Sequence, residues 1–149
     1  MATMNDDPTA VWPRGVPAVG DRATRTRTVG PNDIELFTAI SGDRNPLHYD
    51  AALAAGTRFG EIVVQGGITS AILNAVVAED LPGPGTVFLQ VNWSFKAPVR
   101  PGDDITGEVE VLEVRVDKPI TKLKTSVTRG DGTLVLDGDA LCYTMPLPA

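Results

Sequence analysis

The feature that most limits the fold of this chain is one segment that is apolar on nearly every side, Ile68–Ala78. A helix that is hydrophobic all round is buried. The segment is predicted to begin as a helix near Gly66-Gly67 and to end before Leu81-Pro82. Small residues recur along it, and they allow a sheet to wrap closely around the helix. The rest of the chain must therefore supply that sheet.

Strand patterns fill the chain after this helix. In the segment Thr86–Lys96, apolar and polar residues alternate with a period of two, which is typical of a strand with one apolar face. A Gly-Asp-Gly turn at residues 130–132 is a strong signal for a hairpin between the last two strands. The other predicted strands are Gly20–Val29, Ile105–Val116, Thr121–Thr128 and Thr133–Met145. The pattern alone indicates the α+β class.

Composition and charge narrow the possible functions. A length of 149 residues is typical of one domain with its own core. We expect this domain to span residues 18–149, after a loose N-terminal tail of residues 1–17 that lacks the features of a secretory signal. The alternative for this tail is that Val11 and Trp12 pack on the body. A net charge of −6 argues against a nucleic-acid partner. No apolar run reaches the roughly 18–20 residues of a membrane span, so no membrane partner is expected.

The single cysteine, Cys142, excludes an internal disulfide and suits the reducing cytoplasm. It lies in a predicted strand, where packing in the core is its expected role. One cysteine and one histidine far apart do not form a set of metal ligands, so no metal site is expected. No dinucleotide-binding or P-loop motif is present.

The sole histidine, His48, follows Asp43 across the turn-forming pair Asn45-Pro46. Such a turn aims a carboxylate and an imidazole at one point, where they can share a water and move protons near neutral pH. Gly42 is well placed to end the preceding helix in a left-handed conformation, so that Asp43 lies just beyond the helix. The alternative is an Asx-type turn with a surface histidine.

The surroundings of this pair resemble the signature of the MaoC-like, R-specific enoyl-CoA hydratases. That signature contains an aromatic residue, a small residue, Gly, Asp, any residue, Asn-Pro, an aliphatic residue and His, and all of them stand in the segment Phe37–His48 at the spacing of the family. Weaker similarity extends from about Val19 to the C-terminus. It includes the segments Leu81–Gly85, Phe95–Pro98 and Asp117–Pro119.

This resemblance implies a hot-dog fold, in which an antiparallel sheet wraps around a central helix. It implies a homodimer or a higher homo-oligomer. The implied enzyme is a cytoplasmic hydro-lyase of fatty-acid metabolism, which adds water to trans-2-enoyl-CoA to give (R)-3-hydroxyacyl-CoA or catalyses the reverse dehydration. Coenzyme A then enters only as part of the acyl-CoA substrate, and no other cofactor is expected.

The resemblance also implies roles for individual residues. Asp43 and His48 together hold one water, and which of them is the base stays open. Gly66 aligns with the glycine whose N–H stabilises the enolate oxygen, and Gly67 supports it. The alternative is that both glycines only let the chain enter the helix near a crowded sheet. Asn45 braces the turn or orients the catalytic pair, and Pro46 fixes the backbone.

Three positions concern the wall of the substrate pocket. Gln65 stands where many relatives have histidine, and Gly67 stands where they often have methionine or another bulky apolar residue. Asn74 is predicted to face the acyl pocket, which would favour a short or functionalised acyl group. The alternative is that Asn74 satisfies a backbone group inside the fold.

Two rival functions remain from the sequence. A hot-dog thioesterase would cleave the same substrates by attack on the carbonyl, and it would release a thiol. A non-catalytic acyl-CoA-binding module would bind without turnover, and it would leave the pairing of Asp43 with His48 unexplained.

Overall fold

The computed structural model describes residues 7 and 10–148, and in them one antiparallel sheet packs against a central helix. The five strands of this sheet lie in the order β1-β3-β4-β5-β2. The strands are β1 (Arg22–Thr28), β2 (Thr86–Phe95), β3 (Asp104–Arg115), β4 (Ile120–Arg129) and β5 (Leu134–Thr144). The helices are α1 (Asp33–Ser41), α2 (Ala51–Ala55) and α3 (Gly66–Ala75), with a 3-10 turn at Pro46–His48 and a π-helical turn at Val76–Asp80. The predicted α+β class and the hot-dog arrangement are confirmed.

The core lies between α3 and strands β3, β4 and β5. Ile72 and Leu73 of α3 are 4% and 0% exposed, and they pack with fully buried residues of the sheet such as Val109 and Leu123. Each such side chain contributes about 1.5–3 kcal/mol to stability when it leaves water. The close approach depends on Gly107 of β3, because a Cβ there would lie 2.8 Å from a side-chain carbon of Ile72. The small residues of α3 on which the prediction rests, such as Ala71 and Ala75, are not buried.

Cys142 lies in this core on β5 and is 0% exposed. Burial disfavours the thiolate and raises the pKa of the thiol to about 12. A buried, protonated thiol is neither a nucleophile nor a metal ligand. The predicted packing role of Cys142 is therefore confirmed.

Strand β2 forms one edge of the sheet, and it carries a bulge that the alternating pattern does not reveal. Its pairing with β5 shifts between Phe88 and Gln90. This extra residue lets both Phe88 and Trp93 turn toward the core, where their rings meet edge to face at 5.7 Å. Val91 and Phe95 share the face of Trp93, yet they are 43% and 57% exposed because no strand lies beyond β2 in the single chain.

Part of the segment before β1 packs against the body, which agrees with the alternative considered for Val11 and Trp12, while the domain boundary at residues 17 and 18 stays a prediction. Trp12 is 4% exposed, and Arg14 donates to the carbonyl of Asp80 at 3.1 Å. Apart from Asp7, the earlier residues of that segment lie outside the described part of the chain. Among the described residues, no helix combines the length and apolar character needed to cross a bilayer.

Candidate active site

Asp43 lies on a short loop that begins where α1 ends. Gly42 closes the helix in the left-handed conformation with φ of 77°, and its N–H donates to the carbonyl of Thr38 at 2.8 Å. Glycine adopts this conformation at little cost because it lacks Cβ. The predicted helix end is confirmed, and it places Asp43 immediately beyond a rigid element.

Asn45 and Pro46 shape the turn that follows. The side-chain oxygen of Asn45 accepts a hydrogen bond from the N–H of Leu47 at 3.1 Å, while its own N–H donates to Oδ1 of Asp43 at 3.0 Å. Pro46 is the first residue of the 3-10 turn, where its missing N–H costs nothing. Asn45 thus braces the turn with its side chain and orients the carboxylate of Asp43 with its backbone.

His48 is buried, with 9% of its surface exposed, and both backbone groups of Val63 hold its turn. Its Nδ1 lies 2.6 Å from the carbonyl oxygen of Val63, and the N–H of Val63 donates to the carbonyl of Leu47 at 3.3 Å. A carbonyl oxygen only accepts, so the proton of the neutral imidazole resides on Nδ1. Nε2 is therefore left with a free lone pair. The surface histidine of the alternative interpretation is not what the structure contains.

This lone pair faces the carboxylate of Asp43. Nε2 of His48 and Oδ2 of Asp43 are 3.5 Å apart, and the side chain of Asp43 is 39% exposed. With a neutral imidazole and an ionised carboxylate, both atoms are acceptors and cannot bond to each other. A water placed between them would donate one hydrogen to each, so the geometry suits a pair of groups that binds one water.

Gly66 is the first residue of α3, and its N–H has no hydrogen-bond partner within residues 10–148. The first N–H groups of a helix point along its axis, and the helix dipole favours negative charge there. The ring of Phe95 lies 3.2 Å from the point where a Cβ of Gly66 would be. Glycine therefore keeps this N–H accessible between the helix and the edge strand.

A cavity of about 400 Å³ opens beside Gly66. Its wall contains two basic residues, Arg58 and Lys96, whereas nearby Arg100 is paired with Glu61 at 2.6 Å. Asp43 and His48 do not line this cavity, but Val63, which holds His48, does. The full lining consists of Arg58, Phe59, Val63, Val64, Gly66, Thr69, Phe95, Lys96, Ala97, Pro98 and Val99.

Two residues expected in the pocket wall lie elsewhere. Gln65 is 1% exposed and points its amide toward α1, away from the cavity lining. Asn74 lies on the exposed face of α3, outside the lining of the cavity, and its side chain makes no hydrogen bond within the described residues. The buried backbone bond considered for Asn74 is therefore not found among the described residues, and its role in the acyl pocket stays a prediction.

Gly67, which stands where many relatives have a bulky residue, leaves room for an aromatic ring in this chain. A Cβ at this position would overlap the ring of Phe37, which lies directly over the start of α3. In this chain the ring of Phe37 therefore occupies the space that a side chain at position 67 would need. Phe37 and Gly67 together set the distance between α1 and α3.

The Gly67→Ala variant is expected to be destabilised by about 1–3 kcal/mol, because a new methyl group forces the ring of Phe37 out of its place. The check is urea unfolding of the wild type and the variant. Gly56→Ala is the matched control, since its Cβ meets only the carbonyl of Leu53 at 3.4 Å and its φ of −81° suits alanine. If the overlap is the cause, adding Phe37→Leu removes most of the penalty.

Sequence reasoning missed three residues that support the site. Val63 acts through its backbone, which no residue pattern reports. Oγ1 of Thr38 donates to the carbonyl of Asp43 at 2.8 Å. The hydroxyl of Tyr49 forms a hydrogen bond with Oγ1 of Thr38. The only local signal for these two is their position, since Thr38 lies within the signature segment and Tyr49 directly follows it. Among the described residues, no group of three or more His, Cys, Asp or Glu side chains forms a metal-binding cluster.

Known proteins resemble this chain along most of its length. The family described as MaoC like domain matches residues 17–131. The (R)-specific enoyl-CoA hydratase of Aeromonas caviae is 39% identical over 123 residues, which are 83% of this chain and 92% of the relative. The 3-hydroxybutyryl-CoA dehydratase of Methylorubrum extorquens is 38% identical over 115 residues, which are 77% of this chain and 73% of the relative.

Solved structures show the same likeness. The unliganded R-hydratase from Pseudomonas aeruginosa has a TM-score of 0.80 and 40% identity, over 88% of this chain and 84% of that one. The R-hydratase of Aeromonas caviae has a TM-score of 0.80 and 38% identity, over 89% of this chain and 98% of that one. This chain therefore belongs to the MaoC-like family of enoyl-CoA hydratases and dehydratases, and it is a hydro-lyase.

Proposed function

We propose that the protein adds water to trans-2-enoyl-CoA to give (R)-3-hydroxyacyl-CoA, and that it catalyses the reverse dehydration. The observation that carries this proposal is the pair of acceptors His48 Nε2 and Asp43 Oδ2, which the turn holds 3.5 Å apart. The carbonyl of Val63 sets the tautomer of the His48 imidazole. Relatives that are 39% and 38% identical have hydratase and dehydratase activity in their names. The R configuration is taken from such relatives.

In the proposed step, a water donates one hydrogen to Nε2 of His48 and the other to Oδ2 of Asp43. The water oxygen bonds to the β-carbon of the enoyl thioester while one of its O–H bonds breaks and that proton moves to Nε2. The imidazolium, stabilised by Asp43, then returns the proton to the α-carbon. One water is consumed, and both side chains end in their starting state.

Gly66 acts at the other end of the reacting system. As water adds to the β-carbon, the π electrons move onto the thioester oxygen and form an enolate. A preorganised N–H aimed at this oxygen is a large contribution to catalysis. The unpaired N–H of Gly66, at the positive end of α3, is the donor in this proposal.

The proposed reaction needs no cofactor, because coenzyme A arrives as part of the substrate. Arg58 and Lys96 are the basic side chains nearest Gly66 in the cavity wall, and they suit the phosphates of coenzyme A. A preference for short or functionalised acyl groups stays a prediction, since Asn74 does not line the cavity of the single chain. A cytoplasmic location, expected from the single cysteine, also stays a prediction.

The first experiment is to follow the ultraviolet absorbance of crotonyl-CoA with the purified protein. Hydration removes the conjugated double bond, so we expect the absorbance to fall and chiral analysis to identify (R)-3-hydroxybutyryl-CoA. A thiol reagent in a parallel assay reports free coenzyme A. Release of thiol in place of the hydrated product would favour thioester cleavage, and binding without either product would favour a binding module.

We further propose that two copies of the chain pair through strand β2. This strand is an unprotected edge, and the exposed side chains Val87, Leu89, Val91 and Phe95 make it apolar. Phe95 also covers Gly66, so a second sheet at this edge would complete the wall of the cavity. Continuing the antiparallel sheet into a second copy satisfies the open backbone groups of β2 and buries these side chains.

Sedimentation velocity is the test of this pairing. The wild type is expected to sediment with twice the mass of the chain. Val91→Asp is expected to give single chains, because a two-fold axis brings the new charges together at a buried edge. The matched control is Ile40→Asp, since Ile40 is an apolar residue that is 83% exposed and lies on α1 rather than on β2. A wild type that sediments as a single chain would contradict the proposal.

A further inference from the structure

Gln65 is the last residue before α3, and the reaction described above gives it no task. It is nonetheless among the most buried polar residues, with 1% of its surface exposed. Its side chain lies between α1 and the start of α3, on the side of the backbone away from the cavity. Its peptide bond joins it directly to Gly66, the donor proposed for the enolate oxygen.

The contacts of Gln65 determine the orientation of its amide. Nε2 donates to Oγ1 of Thr38 at 3.1 Å and to the carbonyl of Ile34 at 3.3 Å, and it lies 3.5 Å from the carbonyl of Asp43. Carbonyl oxygens cannot donate, so the NH₂ group rather than the oxygen must face them. The amide is therefore a donor to the loop that carries Asp43.

Thr38 extends this contact to Asp43. Its hydroxyl donates to the carbonyl of Asp43 at 2.8 Å, and therefore it accepts from Gln65 and from the hydroxyl of Tyr49. The backbone of Asp43 is thus held by Thr38 and Gln65 together. Asp43 is held through its backbone carbonyl, while its carboxylate faces His48.

The side-chain oxygen of Gln65 indicates that the contact between Gln65 and the Asp43 loop serves function more than stability. Oε1 of Gln65 is buried and has no partner among the described residues. An unsatisfied buried acceptor is destabilising. Each acceptor that faces Nε2 of Gln65 also has a second donor. The carbonyl of Asp43 accepts from Thr38, and the hydroxyl of Thr38 accepts from Tyr49. The carbonyl of Ile34 lies inside α1, where the helix supplies its donor.

We infer that Gln65 is a positioning residue, which fixes the loop of Asp43 relative to the N–H of Gly66. Its side chain holds the loop that supplies the water-activating pair, and its main chain leads into the helix that supplies the enolate donor. The inference rests on the proposed function. Displacing the loop by about 1 Å would cost about 10- to 100-fold in rate even though no group that contacts substrate is lost.

The test begins with Gln65→Met, which keeps the length of the side chain and removes its donor. We expect kcat for crotonyl-CoA hydration to fall about 10- to 100-fold, with KM nearly unchanged and no decrease in the melting temperature. Ser70→Ala is the matched control, because it deletes a hydrogen bond to Gly67 in the same turn of α3 without touching the Asp43 loop. Gln65→His, whose ring N–H can donate, is expected to restore much of kcat.

A double-mutant cycle with Asp43→Asn distinguishes positioning of Asp43 from general damage. If Gln65 acts through Asp43, adding Gln65→Met to Asp43→Asn lowers kcat by less than about twofold. An equal loss in both backgrounds, or a loss of kcat that follows a loss of melting temperature, would overturn the inference. So would a Gln65→Met enzyme with the kcat of the wild type.

A measurement that does not depend on catalysis tests the positioning role separately. If the wild type hydrates no enoyl-CoA, the proposed function is wrong, but this measurement can still show whether Gln65 positions the Asp43 loop. His48 is the only histidine, so its imidazole gives one set of ¹⁵N resonances. Gln65→Met is expected to shift these resonances and the amide resonance of Asn45, whose N–H bonds to Asp43. If both stay at their wild-type positions, Gln65 does not position the loop.

Discussion

Replacing Asp43 with asparagine is expected to lower kcat for crotonyl-CoA hydration about 10²- to 10⁴-fold while leaving the fold intact. The asparagine keeps the oxygen that accepts from the N–H of Asn45, so the turn is preserved. It loses the negative charge that stabilises the imidazolium, and its NH₂ group competes with water for Nε2 of His48. The measurement is steady-state kinetics together with thermal unfolding.

Asp50→Asn is the matched control for this variant. Asp50 caps α2 by accepting from the N–H of Leu53 at 3.0 Å, and asparagine caps helices equally well. The same change of charge is thus made in the same loop region, and the activity is expected to stay at the wild-type value. Activity of Asp43→Asn within about tenfold of the wild type would contradict the proposed role of its carboxylate, which is to bind the water and to stabilise the imidazolium that forms when His48 takes the proton.

Gly66→Pro is expected to lower kcat about 10²- to 10³-fold, because it deletes the N–H proposed to stabilise the enolate. The backbone accepts proline here. Gly66 is the first residue of α3, where proline is favoured, and Gln65 before it has φ of −61° and ψ of 143°, which suit a residue that precedes proline. The variant is therefore expected to fold, and the loss of rate can be assigned to the missing donor.

Gly66→Ala separates the donor from the added bulk. Alanine and proline both place a Cβ near the ring of Phe95, which lies at the exposed end of β2 and can move by the few tenths of an ångström required. Alanine keeps the N–H, so it is expected to retain much more activity than proline. If the alanine and proline variants lose activity equally, crowding rather than the lost donor is responsible.

The local features that shape the candidate site can be predicted from the sequence. The left-handed Gly42, the bracing by Asn45 and the burial of α3 each depend on residues within a few positions of one another. Their physical causes are the absence of a Cβ, the reach of a short amide, and the apolar side chains, such as Ile72 and Leu73, that α3 turns toward the sheet. Such causes are visible in a pattern.

The contacts that complete the site join residues distant in the chain, and so they could not be predicted from local patterns. The carbonyl of Val63 fixes the tautomer of His48, yet any residue at that position supplies the same atom. Gln65 was expected in the pocket wall, but the ends of α1 and α3 lie so close that its amide reaches Thr38. The bulge in β2 is likewise set by pairing with β5.

The hydrogen bond between Val63 and His48 affects which substitutions the protein can accept at position 63. Val63 forms part of the cavity wall, but it contacts the Nδ1 of His48 only through its carbonyl oxygen. Every amino acid carries that oxygen, and all except proline also carry the N–H that bonds Leu47. Evolution or saturation mutagenesis can therefore reshape the cavity at position 63 without removing the hydrogen bond that orients the imidazole of His48 in the proposed mechanism.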